Sequence, residues 1–191
     1  MDRHDRILDA AVACIGRVGL AKTTLDDVAR EAGCARATVY RTFSSKQRLI
    51  AALVGREADA VERRVLDAAA AADGLGPAIT ATITTGASAL RAHPALAFVA
   101  AHEEDAIFPY VAFDGADALM RHVAQRVAPA FEAYLPREQA VRLGEWIARV
   151  TLSYLLSPSD DLDIGEEADV RALVDDFVLP GFAGHTQGVT R

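Results

Sequence analysis

The stretch Thr23–Lys46, TTLDDVAREAGCARATVYRTFSSK, constrains the fold more than any other part of the chain, because it carries the start and stop signals of two short helices in close succession. Thr24 precedes the first apolar-periodic position and Asp27 lies three residues on. That is the spacing of a capping box, in which each side chain accepts from the other residue's backbone N–H. Leu25, Val28, Ala29 and Ala32 then fall on one helical stripe, with Asp26, Asp27, Arg30 and Glu31 on the opposite side. Gly33 follows the last periodic residue and supplies the left-handed backbone that a sharp turn needs. The chain turns across Cys34 and Ala35, and a second helix over 36–43 buries Val39, Phe43 and the ring edge of Tyr40. Two short helices about a glycine turn form a helix-turn-helix, although the same geometry also serves as a plain corner between helices.

The outward face of the second helix separates these uses. Arg36, Ala37, Thr38, Arg41 and Thr42 make it small, polar and cationic, which suits a major groove whose base edges and flanking phosphates such side chains reach. Ser44, Ser45, Lys46 and Gln47 read as a second capping box starting a further helix, with Lys46 and the first-turn amides placed where a phosphate would sit.

The stretch resembles the DNA-binding domain of the TetR-type bacterial transcriptional regulators. The resemblance rests on Gly19, Thr23, Thr24, Val28, Ala29, Ala32, Gly33, Thr38, Tyr40, Phe43, Lys46 and Leu49, and spans roughly residues 3 to 54. It implies an all-α chain: a three-helix DNA-binding domain, placed here at residues 1–48, followed by a helical-bundle ligand-binding and dimerisation domain over 49–191. Two positions depart from the family pattern. Ala35 stands where a serine usually caps the recognition helix, at a cost of about 1 kcal/mol, and Thr42 stands where histidine is common, a residue still able to donate to a phosphate.

Charge is divided along the chain in a way that fits this division. The net charge is −7. Residues 1–56 carry +4, however, and residues 57–191 carry −11, so the basic part faces a duplex while the acidic remainder is repelled from it. Lys22 and Lys46 are the only lysines, and both lie in the basic part. Cys14 and Cys34 lack metal-ligand spacing and read as small packing residues rather than as a disulfide. No apolar run is long enough for a membrane span, and MDRHDRILDA lacks a secretory h-region, so a cytoplasmic location is expected. Nucleophile elbow, P-loop and dinucleotide fingerprints are missing, and no cysteine sits with a histidine in a recognisable arrangement, so no enzyme and no cofactor are expected.

Before the motif, a helix over about 5–18 places Ile7, Leu8, Ala11, Val12, Ile15 and Val18 on one stripe and stops at Gly19. After it, periodicity continues from Lys46 toward Ala72 as one long helix, broken at Asp73–Pro77. Helices follow over 77–92, 95–101 and from about 113, the last carrying Met120, Val123, Val127 and Phe131. Among the irregular breaks, Phe98, His102, Phe108, Phe113 and Met120 are candidates to line a small-molecule cavity, although aromatic and methionine side chains at helical spacing are also ordinary core. His102 with its acidic neighbours lacks the HExxH or ExxH spacing of a metal site; no metal is expected there.

Two long helices end the chain, over 136–156 and over 166–179, the second burying Val170, Leu173, Val174, Phe177 and Val178 and stopping at Pro180 and Gly181. The resemblance implies that this pair packs on its copy in a second subunit. Val141, Trp146, Val150 and Tyr154 on the first, with Val170, Val174 and Phe177 on the second, are the candidate interface. A single recognition helix reads few bases, which independently favours a homodimer on a palindromic site.

The sequence therefore predicts a ligand-responsive transcriptional repressor binding double-stranded DNA as a homodimer and answering to an unidentified small molecule. Arg36, Ala37 and Thr38 are expected at base edges, and Thr24, Tyr40, Arg41, Thr42 and Lys46 at phosphates. The alternatives are a helical small-molecule-binding protein without specific DNA binding and a helical metalloenzyme using the acidic turn at His102.

Overall fold

The computed structural model describes residues 2–103 and 113–183. All regular structure among them is helical, so the fold is all-α. The chain divides into two compact units, Met1–Val61 with Leu90–Ala116, and Glu62–Ala89 with Asp117–Arg191.

The first unit opens with α1, Arg3–Val18, two residues longer at its start than its stripe suggests because the Asp2 carboxylate accepts from the Arg3 N–H. Helices α2, Leu25–Glu31, and α3, Arg36–Phe43, follow with the bounds the motif predicts. Gly33 makes the turn between them with φ +61°. Ile7, Leu8, Ala11, Ile15, Val28, Val39, Phe43 and Leu49 are almost entirely hidden from solvent and form one core. Val18 and Tyr40, read as stripe and ring-edge residues, are instead exposed. Cys14 is buried in that core, which pushes its thiol up and keeps it a neutral packing group.

Helix α4, Lys46–Ala70, runs unbroken through residue 48 and from the first unit into the second. Its start differs from the sequence reading. Ser44 is not the cap; it takes a left-handed conformation with φ 53° and ends α3. No glycine is available there to stop α3, so capping slips one residue, and Ser45 Oγ accepts from the Arg48 N–H at 3.2 Å. Further along α4, Arg56 joins Asp9 and the Asp5 carbonyl of α1 at 2.7 and 3.1 Å.

Helix α5, Leu75–Arg91, begins two residues before Pro77, which its first turn accommodates. The His93 imidazole then caps α6, Pro94–His102. That short apolar helix packs on α1. A Cβ on Gly16 would sit 3.2 Å from the Pro94 Cβ, so the two helices approach closely because glycine is there.

Helix α7 spans Phe113–Val127, and a short turn, Ala128–Ala130, puts the ring of Phe131 into the core. Helix α8 spans Arg137–Leu156. The last helical run departs from the sequence reading: α9, Glu167–Leu173, widens into one π turn, Val174–Val178, and continues as α10, Leu179–Ala183. Pro180 does not stop it, because the turn before it widens to π geometry, with the Leu179 N–H donating to the Val174 carbonyl, and the run passes through the proline. Val170, Val174 and Val178 are buried as expected, but Phe177 is 76% exposed.

Candidate nucleic-acid interface

The interface is built from the loop that leads into α2 and from the open face of α3. At the start of α2 the capping box is complete. The Thr24 hydroxyl accepts from the Asp27 N–H at 3.2 Å, and the Asp27 carboxylate accepts from the Thr24 N–H at 3.2 Å and its hydroxyl at 2.5 Å. These bonds hold the Asp27 carboxyl below the ordinary carboxylate range, the Thr24 hydroxyl contributing most and its backbone N–H next.

The loop before Thr24 is braced from three sides. Thr23 donates its buried hydroxyl to the Gly19 carbonyl at 2.6 Å. From α4, the Lys46 ammonium donates to the carbonyls of Leu20 and Ala21 at 2.6 and 3.1 Å. From the end of α6, the Glu103 carboxylate accepts from the N–H groups of the same two residues at 2.7 and 3.1 Å. Gly19 opens the loop with φ 89° and ψ 165°, a conformation essentially confined to glycine. A Cβ there would overlap the Glu103 carboxylate and the Phe98 ring.

Helix α3 presents its face with little internal bonding. Its start has no side-chain cap, as Ala35 in place of a serine requires. Arg36, Ala37, Arg41 and Thr42 are exposed, Thr38 is half-buried, and Tyr40 is 41% exposed. Arg36 is the ordered exception. Its Nε lies 2.7 Å from Asp26 Oδ1 on α2, its Nη2 donates to the Tyr40 hydroxyl at 3.3 Å, and its guanidinium carbon stands 5.2 Å from the Tyr40 ring centroid. The Tyr40 bond, then the Asp26 charge, raise its affinity for the proton further. The Thr42 hydroxyl donates to the Thr38 carbonyl at 2.9 Å, so it reaches a phosphate only by giving up that bond.

The structure thus brings Thr24, Arg36, Ala37, Thr38, Tyr40, Arg41, Thr42 and Lys46 into one unit, but it gives Lys46 backbone carbonyls as partners. The loop brace from Glu103 has no signal in the sequence, because 83 residues separate it from Leu20. Asp26 read only as a residue of the polar face of α2.

The other candidates are dispersed. Phe98 and His102 stack on each other at the end of α6, ring centroids 4.5 Å apart, in the first unit. Met120 is a core residue of the second, 3% exposed. Phe108 lies outside the described residues, as does the side chain of Phe113. Among the described residues, no three histidine, cysteine or carboxylate side chains converge as a metal site would require, and no helix is long and apolar enough to cross a membrane. Val141, Trp146, Val150 and Tyr154 are half-buried and Phe177 is open, whereas Val170 and Val174 are fully buried.

The helix pair, its glycine turn and the open cationic face of α3 define a helix-turn-helix transcriptional regulator. Residues 7–53 match the family described as bacterial regulatory proteins, tetR family. Over 181 residues the chain is 33% identical to the uncharacterized HTH-type transcriptional regulators MT1294 and Rv1255c of two Mycobacterium tuberculosis strains, covering 92% of this chain and 83% of each relative. The TetR family repressor AlkX from Dietzia sp. strain DQ12-45-1b shares the fold with a TM-score of 0.69 at 19% identity, over 90% of this chain and 92% of that one. The fatty acid degradation regulator FadR from Bacillus halodurans does so with a TM-score of 0.61 at 16% identity, over 91% and 95%. The chain belongs to the TetR family of bacterial regulatory proteins. It is accordingly a DNA-binding regulator and not an enzyme.

Proposed function

We propose that the chain is a cytoplasmic, ligand-responsive repressor that binds a palindromic operator as a homodimer and leaves it when a small molecule occupies its helical bundle. The observation that carries this reading is the open face of α3, where cations and small side chains stand exposed while the apolar side of the helix is fully buried. In this reading residues 1–48 read DNA and 49–191 hold the effector and the second subunit. Arg36 pairs with a guanine, Ala37 offers a methyl contact and Thr38 lies beside them. Thr24, Tyr40, Arg41 and Thr42 engage phosphates, and Lys46 serves them from behind by holding the loop that carries Thr24.

Dimerisation follows from the shortness of α3, since two-fold symmetry doubles the bases read. Half-buried Val141, Trp146, Val150 and Tyr154, with exposed Phe177, offer the apolar surface for it.

Fluorescence anisotropy with the DNA upstream of its own gene, titrated at several salt concentrations beside a scrambled duplex, tests the reading. Specific binding stronger by about a thousandfold, with a steep salt slope, is expected. Arg36→Ala should then cost about 1–3 kcal/mol at one base of each half-site, whereas Arg41→Ala should weaken all sequences alike. Failure to bind any DNA, including duplexes from a genome-wide fragment selection, would overturn the reading.

A further inference from the structure

The peptide group between Leu20 and Ala21 is gripped at both ends by full charges that come from different helices. Its carbonyl accepts from the Lys46 ammonium of α4 at 2.6 Å, and its N–H donates to the Glu103 carboxylate at the end of α6 at 3.1 Å. The same carboxylate takes the Leu20 N–H at 2.7 Å. Hydrogen bonds to ionised groups are the strong ones, and a peptide dipole lying between an anion and a cation is favoured by both. Glu103 is itself fixed, since its N–H ends α6 on the Val99 carbonyl at 2.8 Å and its carboxylate occupies the space that a side chain at Gly19 would need. The grip extends along the loop. The Gly19 carbonyl accepts the Thr23 N–H at 3.2 Å and the Thr23 hydroxyl at 2.6 Å, which closes residues 19–23 into one turn, and Thr24 follows it directly onto the Asp27 cap. Ala21, Lys22 and Thr24 are the exposed residues of this segment.

We propose that Glu103 is a positioning residue for DNA binding: by holding the N–H groups of Leu20 and Ala21 it sets Thr24 on the phosphate backbone, so the last turn of α6 governs affinity without touching the duplex. This rests on the reading of Thr24 as a phosphate contact. A carboxylate beside a DNA-facing loop repels phosphates by its charge alone. Its two hydrogen bonds act in the opposite direction, by keeping the loop in the one conformation that presents Thr24. Charge and positioning therefore predict opposite signs for its removal. Glutamine separates them, because it keeps the size, loses the charge and has one accepting oxygen in place of two.

The test compares four full-length proteins: the parent, Glu103→Gln, Glu103→Ala and Thr24→Ala. Each is titrated with the operator that the parent selects from a random duplex library, and with copies of it in which single phosphates are replaced in turn by uncharged methylphosphonate. Thermal unfolding of each protein is followed alongside, and binding is measured well below every midpoint. In the parent, one phosphate per half-site should show a penalty that vanishes in Thr24→Ala. Glu103→Gln should weaken the operator about tenfold, erase most of the penalty at that same phosphate, and leave the other phosphates and the base preference as they were. Glu103→Ala should do so more strongly. Tighter binding of all duplexes by Glu103→Gln would make Glu103 a repelling charge only and overturn the proposal. So would unchanged affinity, or an equal loss at every phosphate, which is the mark of a merely structural role. If no penalty vanishes in Thr24→Ala, the phosphate reading of Thr24 falls and this proposal with it, while the regulator reading stands. A parent protein that selects no operator defeats both, and is recognised before any variant is made.

Discussion

The two helices of the motif begin in opposite ways. Helix α2 starts from a loop in which Thr23, Thr24, Asp27, Lys46 and Glu103 satisfy nearly every backbone group, while α3 starts at Ala35 with no side chain on its first amides. The braced start fixes where the helix pair lies, whereas the bare start and open face of α3 leave donors and cations for a partner other than the protein itself. Stability and recognition are thus assigned to adjacent helices, and substitutions should separate them.

Removing the brace should have the largest effect. Gly19→Ala forces a side chain into glycine-only backbone and into the Glu103 carboxylate, and should cost about 3 kcal/mol in urea unfolding. Glu103→Ala strips two N–H groups of a charged acceptor and should cost about 1.5 kcal/mol, less than a fully buried loss because water reaches Ala21. Thr24→Ala should cost about 1 kcal/mol as a lost cap. Because the Asp27 carboxyl is held below its ordinary value by Thr24, that part of the stability is present above the ordinary carboxylate range and is lost as pH falls through the lowered value. The gap between the parent and Thr24→Ala should therefore narrow in acid unfolding curves. The smallest change runs the other way: Ala35→Ser supplies the missing cap and should raise stability by roughly 0.5 to 1 kcal/mol. If Ala35→Ser gained nothing, the start of α3 would already be satisfied and the contrast between the two helices would fail.

What could be read from the sequence follows the range of the interactions. The bounds of α2 and α3, the Thr24–Asp27 box and the Gly33 turn depend on residues within a few positions of one another, and periodicity exposes them. The stop of α3 was misplaced because Ser44 is an unusual left-handed residue, and a Ser-Ser pair does not reveal which member caps the next helix. Glu103, Lys46 and Asp26 find their partners across turns and between helices, where spacing carries no information. Nor does periodicity show that a helix will pass through a proline by way of a π turn, as it does at Pro180. For the reading face the residue types were legible, but not their poise: that Arg36 is held, that Thr42 spends its hydroxyl on Thr38, and that Lys46 looks inward are all properties of the packed unit.

The lysine that braces the loop also makes the motif unusually easy to observe. Lys22 is exposed, whereas the amine of Lys46 is committed to two carbonyls, and no other lysine exists in the chain. An amine-acylating reagent therefore labels Lys22 at once and Lys46 only in those moments when the loop lets go. The ratio of the two labelling rates, read by mass spectrometry, is a direct clock for opening of that loop, and it runs without a mutation or an attached dye.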